Sequence, residues 1–342
     1  MRRSEITIDL GAFRRNARRL REAAGGAELW AVVKADGYGH GALDCARAAL
    51  DVGATALCVA TVQEGMELRA IFAEPRILVL GPLTPGDVEL ARAGRLEVTA
   101  STPDLPDGVP VHAKVDTGMG RFGMSPDELA DIPAGRVAGL MSHLATADEA
   151  DEAFARDQIA LFATLASRFP GAVSHLANSA ATLRFPAARF DAVRCGVALY
   201  GLSPFGDEPA AHGLEPVLSW RSYVALARSL QPGESTGYGR RFVAEAPLRI
   251  GLVPVGYADG FRRGLSGADV LVDGARRRVL GAVSMDSFAV QLEDDEVGAS
   301  VTLIGDGLLA EEHARHLGTI NYEVTCAIRS RSDRADRFVV DG

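Results

Sequence analysis

The sequence is poor in several features that would assign it quickly. Its four cysteines, at positions 45, 58, 195 and 326 of 342 residues, show no CxxC spacing, so neither a disulfide framework nor a thiolate metal site is expected. His313 and His316 stand at i, i+3 in a helix-like stretch with no cysteine nearby and read as surface residues; no metal is expected. No apolar run approaches the roughly 20 residues needed to cross a bilayer. The start, Met1-Arg-Arg-Ser-Glu-Ile-Thr-Ile-Asp9, is basic but has no apolar core behind it, unlike a secretory signal. A reducing, cytoplasmic compartment is the expectation. Basic residues are outnumbered, 36 Lys and Arg against 45 Asp and Glu, for a formal net charge of −9. That balance argues against nucleic acid or an anionic membrane as partner. There is no P-loop, no internal repeat and no low-complexity segment.

What is present is a chain with 47% apolar and 24% charged residues, long enough for two domains and a large core. From Asp9 to Ala24, Leu10, Phe13, Ala17 and Leu20 recur at helical spacing, with Asp9 as N-cap and Gly25-Gly26 as the stop. Short apolar runs and helical patterns then alternate. Strands are expected at Leu29–Val33, Ala56–Ala60, Ile77–Leu80, Leu96–Ala100, Val109–Val115, Val137–Ser142, Ala172–Leu176 and Phe190–Val193. Helices are expected at Ala42–Leu50, Gln63–Phe72, Asp87–Ala93 and Asp151–Arg168, while the unit after Leu96–Ala100 lacks a clear helix. Repeated strand–helix units imply a parallel sheet covered by helices, and eight of them can close into a (β/α)8 barrel; an open doubly wound sheet is the rival. After Gly213 the texture changes to short Val- and Leu-rich runs, Ser219–Leu230, Leu248–Val255, Val270–Val272, Arg278–Val283, Phe288–Leu292 and Ser300–Ile304, with a helix at Ala310–Leu317. The reading is an α/β barrel over residues 1–213 and a β-rich C-terminal domain over 214–342.

The polar residues of the first domain gather at strand C-termini, the face that carries the active site of such barrels. Ala31-Val-Val-Lys-Ala-Asp-Gly-Tyr-Gly-His-Gly41 ends a buried strand on Lys34; burial lowers a lysine's pKa and makes it an amine able to form a Schiff base with an aldehyde. His112 to Gly123, Ser142 to Glu149, His175 to Ala181 and Arg194 to Val197 follow later strands. A phosphate needs backbone amides, hydroxyls and a helix start: Ser179, the amides of Gly196 and Val197, and the hydroxyls of Tyr38 and Tyr322 supply those types.

Taken with Lys114-Val-Asp-Thr-Gly-Met-Gly-Arg121, Ala177-Asn-Ser-Ala-Ala181, Arg194-Cys-Gly-Val-Ala-Leu-Tyr-Gly201, Thr236-Gly-Tyr-Gly-Arg240, Pro254-Val-Gly-Tyr-Ala-Asp-Gly260, Ser284-Met-Asp286 and Gly318-Thr-Ile-Asn-Tyr-Glu323, the lysine motif resembles that of alanine racemases over nearly the whole chain. The resemblance implies a pyridoxal 5'-phosphate enzyme of fold type III that interconverts L- and D-alanine and supplies D-alanine for peptidoglycan. It implies Lys34 as the Schiff-base lysine and first base. Tyr238 is implied as the second base, delivered across a homodimer whose active sites are shared. Tyr38, His143, Asn178, Ser179, Arg194, Gly196, Val197 and Tyr322 are implied around the cofactor, with His143 and Arg194 as a hydrogen-bonded pair able to tune the tyrosine. Arg121, Met285 and Tyr257 are implied at the substrate. Lys114 is implied to carry a carbamate facing Arg121. An arginine on the ring nitrogen keeps that nitrogen unprotonated, which suits a racemase and fits a decarboxylase poorly. A racemase of broader amino-acid range stands beside this reading, as does a pyridoxal phosphate carrier, which would need neither a second domain nor Tyr238.

Overall fold

A computed structural model describes residues 3–294, 296–329 and 334–342. Strand β1 (Glu5–Asp9) leads directly into the helix Leu10–Ala24, because Asp9 leaves the strand with extended backbone and accepts the Ala12 N–H at 3.0 Å. That cap satisfies one of the amides a helix start leaves free. The helix buries Phe13, Ala17 and Leu20 against the barrel and stops at Gly25. Eight parallel strands then close: β2 (Glu28–Val32), β3 (Ala56–Val59), β4 (Arg76–Val79), β5 (Glu97–Ala100), β6 (Val111–Lys114), β7 (Gly139–Met141), β8 (Val173–His175) and β9 (Ala192–Cys195). Closure comes from β2 pairing with β9, Trp30 opposite Arg194. The strands are covered on both sides, so β2, β3 and β4 read as mainly apolar runs rather than alternating ones; all four residues of Ala56–Val59 are buried. The barrel helices include Ala42–Asp51, Val62–Arg69, Asp87–Ala93, Pro126–Ala130 and Ala153–Ala166. No helix lies between β5 and β6, where residues 101–110 form turns.

The second domain is built from β10 (Leu218–Tyr223), β11 (Leu226–Leu230), β12 (Ser235–Thr236), β13 (Phe242–Val243), β14 (Leu248–Val253), β15 (Asp269–Val272), β16 (Ala275–Leu280), β17 (Phe288–Leu292), β18 (Ser300–Ile304) and β19 (Asp336–Val340). Nine strands form one sheet in the order β11-β14-β17-β16-β15-β18-β10-β1-β19, and β12 pairs with β13. Three expectations are corrected here. Ser219–Leu230 is two strands, broken at Val224-Ala225, whose halves pair with β18 and β14 respectively. Residues 5–9, grouped with the barrel by a division at 213/214, hydrogen-bond instead in the second sheet, with Ile6 opposite Trp220 and Arg337. His313 is no surface residue: it lies 2% exposed against Phe261, ring centroids 5.8 Å apart, because its helix Ala310–Leu317 turns that face into the core.

Candidate active site

Lys34 follows the end of β2, whose last carbonyl, that of Val32, accepts the buried Tyr200 hydroxyl at 3.0 Å. Beyond the lysine the backbone makes one turn of left-handed helix, with φ of 54°, 51°, 60° and 54° at Ala35, Asp36, Gly37 and Tyr38. Left-handed helical backbone costs roughly 1–2 kcal/mol per non-glycine residue. Here it is held by Gly37 N–H on the Val33 carbonyl at 2.9 Å, Gly41 N–H on the Asp36 carbonyl at 2.8 Å and Ala42 N–H on the Asp36 carboxylate at 3.0 Å. The turn swings Tyr38 back under the lysine, where its ring stacks on Tyr200 with centroids 4.9 Å apart. Burial first, then Arg121, lowers the Lys34 pKa, with Glu64 opposing.

Arg194, in β9, is 4% exposed. Its Nη1 donates to His175 Nδ1 at 2.7 Å and to the His175 carbonyl at 2.6 Å; its Nη2 donates to the carbonyls of Ser142 at 2.7 Å and Leu176 at 3.2 Å. The expected partner His143 is 3.5 Å from Nη2, the outer limit of a hydrogen bond. Burial lowers Arg194 to about 10, so it remains a cation near neutral pH. Burial and Arg194 together bring His143 down to about 3, which keeps it neutral. Nε–H is the Arg194 donor left without a protein acceptor among the described residues.

At the other end of the cavity, Asn178 caps the helix Ser179–Arg184 by accepting the Ala181 N–H at 2.9 Å. Ser179 Oγ accepts the Gly196 N–H at 3.0 Å and the Ala198 N–H at 3.4 Å. A Cβ at Gly196 would run into the Tyr38 hydroxyl, so glycine is needed for that close approach. Lys114, the last residue of β6, is 7% exposed, and burial, then Arg194 and Arg121, lowers it to about 8. Its Nζ sits 5.6 Å from the Phe122 ring centroid. Asp116 is turned away to accept the amides of Gly118 and Gly120. The spacing Gly118-Met-Gly-Arg-Phe-Gly123 has the form G-x-G-x-x-G, yet here it is a loop, closed by Asp116, that presents Arg121.

Lys34, Tyr38, Lys114, Arg121, His143, Asn178, Ser179, Arg194, Gly196, Val197 and Tyr322 all line one cavity of about 530 Å³ at the C-terminal mouth of the barrel. Tyr238, Tyr257 and Met285 do not line it; they are 71%, 43% and 52% exposed on the second domain. Sequence reasoning assigned no role to Glu64, whose carboxylate accepts the amides of Ala35 and Ala60. Nor did it assign one to Gln158, which donates to Thr117 Oγ1 at 3.1 Å and to the His143 carbonyl at 3.3 Å. Glu97 was also missed, and His112 and His175, though they head two of the polar strand-end segments, were assigned no role. Their one sequence signal is a charged or imidazole side chain inside a short, buried barrel strand.

Residues 8–204 match the alanine racemase N-terminal domain and residues 217–336 the alanine racemase C-terminal domain. An alanine racemase of Mycolicibacterium smegmatis is 40% identical, over 97% of this chain and 94% of its own. The crystal structure of alanine racemase from D-cycloserine-producing Streptomyces lavendulae superposes with a TM-score of 0.94 at 35% identity, covering 100% of this chain and 98% of that one. The alanine racemase of Bartonella henselae, solved with covalently bound pyridoxal phosphate, superposes with a TM-score of 0.91 at 27% identity, covering 98% and 99%.

Proposed function

The chain belongs to the alanine racemase family and is an amino-acid racemase, and from that premise we propose that it interconverts L- and D-alanine with pyridoxal 5'-phosphate attached at Lys34. The observation that carries the reading is the shared cavity of Lys34 and Arg194: a lysine whose charged form burial disfavours, and a buried guanidinium with one donor to spare. The residues fit the cofactor. Tyr38, Ser179, Gly196, Val197 and Tyr322 offer hydroxyls and amides for its phosphate, Arg194 Nε–H offers a donor for its ring nitrogen, and Arg121 offers a cation for its phenolic oxygen and for the substrate carboxylate. Bound there, pyridoxal phosphate supplies an electron sink for the pair left when an α-proton is removed.

The chain's own residues do the rest. Lys34 Nζ, freed when the substrate amine replaces it on the cofactor, would take the α-proton on one face. A second acid is needed on the opposite face, because a single base tends to return the proton to the side it left. Tyr238 is assigned that role, in a homodimer where Tyr238 of the partner subunit completes each site; its 71% exposure within one chain supports this. Tyr257 and the Met285 N–H are assigned to the substrate pocket by the same route. His143, held neutral, and Arg194 set the polarity around that tyrosine. Arginine cannot surrender its proton, so Arg194 would leave a ring nitrogen held there unprotonated, which would disfavour decarboxylase and transaminase chemistry. D-alanine for peptidoglycan is the proposed product use, and the cytoplasm the proposed site of action.

A coupled assay for D-alanine formed from L-alanine, run beside other L-amino acids, tests the reading. Alanine should be the best substrate, and serine a slow one, since a single added group shifts discrimination by only ~1–3 kcal/mol. Equal efficiency on lysine or arginine would replace it with a broad-range racemase, and cofactor binding without turnover would replace it with a carrier.

A further inference from the structure

A single file of hydrogen bonds runs inside the barrel from its floor to Arg194. Arg194 Nη1 donates to His175 Nδ1 at 2.7 Å. A guanidinium only donates, so that nitrogen accepts and the His175 proton sits on Nε2. This N–H meets His112 Nδ1 at 2.7 Å, which must accept in turn. The His112 proton is then on Nε2, 2.8 Å from Glu97 Oε2. Arg76 grips both oxygens of the carboxylate, Nε on Oε1 at 2.9 Å and Nη2 on Oε2 at 3.0 Å, the latter shared with His112. Each imidazole accepts at one nitrogen and donates at the other, and the direction is fixed by the two ends: Arg194 can only donate and the ionised Glu97 carboxylate, which also takes the Arg76 bonds, can only accept.

The arrangement is built. Both histidines are 0% exposed, and burial lowers the pKa of His112 and takes His175 well below its ordinary value, so both are neutral. Burial alone would raise Glu97; the His112 and Arg76 bonds outweigh it and bring it down to about 2. A Cβ at Gly139, the residue opposite His112 on β7, would run into the His112 ring. Trp30 closes the side, 4.5 Å from His175 and 5.7 Å from His112 between centroids, under the Arg76 guanidinium at 4.9 Å. A buried polar network with any unmade bond is worse than an apolar core; every link here is made.

We propose that Glu97, His112 and His175 are positioning residues, a one-way relay that aims the Arg194 guanidinium at the cofactor and passes the influence of the Glu97 charge to it. The proposal rests on the cofactor reading above, since Arg194 Nε–H is the donor that would meet the ring nitrogen. With the carboxylate coupled in, part of the guanidinium charge is offset from below, and the ring draws less strongly on the electron pair at the α-carbon. Uncoupling it strengthens that pull, lengthens the life of the pair, and lets a proton return at the wrong carbon.

The test uses Glu97→Gln, which keeps shape and removes charge, His112→Asn, which keeps an acceptor for His175 and loses reach to Glu97, and the double variant. In ¹⁵N-histidine NMR of the cofactor-loaded enzyme, both histidines should be neutral Nε2–H tautomers, and Glu97→Gln should move the His175 signals although the two do not touch. Transamination relative to racemisation should rise several-fold in each single variant, and the double variant should exceed neither, as expected for two breaks in one chain. Unmoved His175 signals, or effects that add, overturn the relay. If His112→Asn does not fold, the nearly isosteric Glu97→Gln carries both readouts alone. An unsubstituted enzyme without a visible chromophore would overturn the cofactor reading itself, whereas a chromophore and product ratio untouched by Glu97→Gln would overturn only the relay.

Discussion

Glu64 Oε1 accepts the backbone N–H of Ala35 at 2.8 Å, while its other oxygen takes the N–H of Ala60 at 2.7 Å. One carboxylate thus joins the left-handed turn after Lys34 to the end of β3 and, through its capping box with Thr61, to the helix Val62–Arg69. The turn is the costly part of the site and Glu64 is its brace.

Substitutions at Ala35 should therefore be ordered by backbone preference. Ala35→Gly, at a φ of 54°, is expected to leave stability unchanged or raise it slightly, because glycine adopts this conformation without a Cβ penalty. Ala35→Val is expected to lose about 1–2 kcal/mol or more. Urea unfolding of the three proteins measures the order, and a glycine variant less stable than the valine one would contradict it.

Lys34 should carry the chromophore. Protein purified with pyridoxal phosphate is expected to be yellow, to lose the visible band on borohydride reduction, and to yield a peptide labelled at Lys34. A label on any other lysine removes the assignment.

Lys34→Ala and Tyr238→Phe should each be inactive alone. Mixed under conditions of subunit exchange, they should recover activity, because one of the two sites in a hybrid dimer has both bases intact. Proven exchange without recovery would place both bases in one subunit.

Arg194→Glu should protonate the ring nitrogen, build up long-wavelength absorbance during turnover, and raise transamination relative to racemisation. Because the substitution also removes a donor from His175 and Ser142, the expected loss of stability is several kcal/mol. Spectrum and product ratio are therefore read at a temperature where the protein remains folded. An unchanged spectrum would remove the argument from Arg194.

Lys114 should react with carbon dioxide. Its uncharged amine attacks the carbon, a new N–C bond forms, and the amine proton is lost, leaving an anionic carbamate that can hold the Arg121 guanidinium in a two-point grip. Only the neutral amine reacts, and with Lys114 lowered to about 8, roughly a tenth is available at pH 7. Uptake of ¹³C-labelled carbon dioxide should rise as pH passes through about 8. Lys114→Ala should lose both the signal and most activity, with part of the activity restored by short carboxylates. A Lys114 that takes up no label at any pH is a plain amine.

Much of this was legible in the sequence because barrel strands announce themselves locally. Ala56–Val59 and Ile77–Val79 are apolar, short, and followed by helices, the first of them capped by Thr61, so existence and order could be read without knowing what each strand touches. The lysine, arginine and serine of the cavity were readable because they interrupt that pattern at strand ends. The Glu97–His112–His175 file was not. Alternation along a strand tells which face a residue takes, but not which residue from a strand 63 positions away will meet it. The left-handed turn was also invisible, since Ala35 and Asp36 have no intrinsic preference for positive φ and adopt it only under the hold of Glu64 and the Ala42 amide. Nor did residues 336–340 read as a strand; β19 gains its form from β1, at the other end of the chain.

The pairing of β1 has a consequence for how the molecule is put together in time. Ile6 faces partners at Trp220 and Arg337, so the barrel is in effect an insertion into a sheet domain that has been cut after its first strand. During synthesis the barrel can close while β1 still waits, its buried-to-be Ile6 and Ile8 uncovered until more than 200 further residues have emerged. An unpaired apolar strand is a template for foreign edges. A contiguous fragment beginning near residue 214 would lack not a flanking strand but one from between β10 and β19. The two halves are therefore separable on paper by a single cut, but not in the folded molecule.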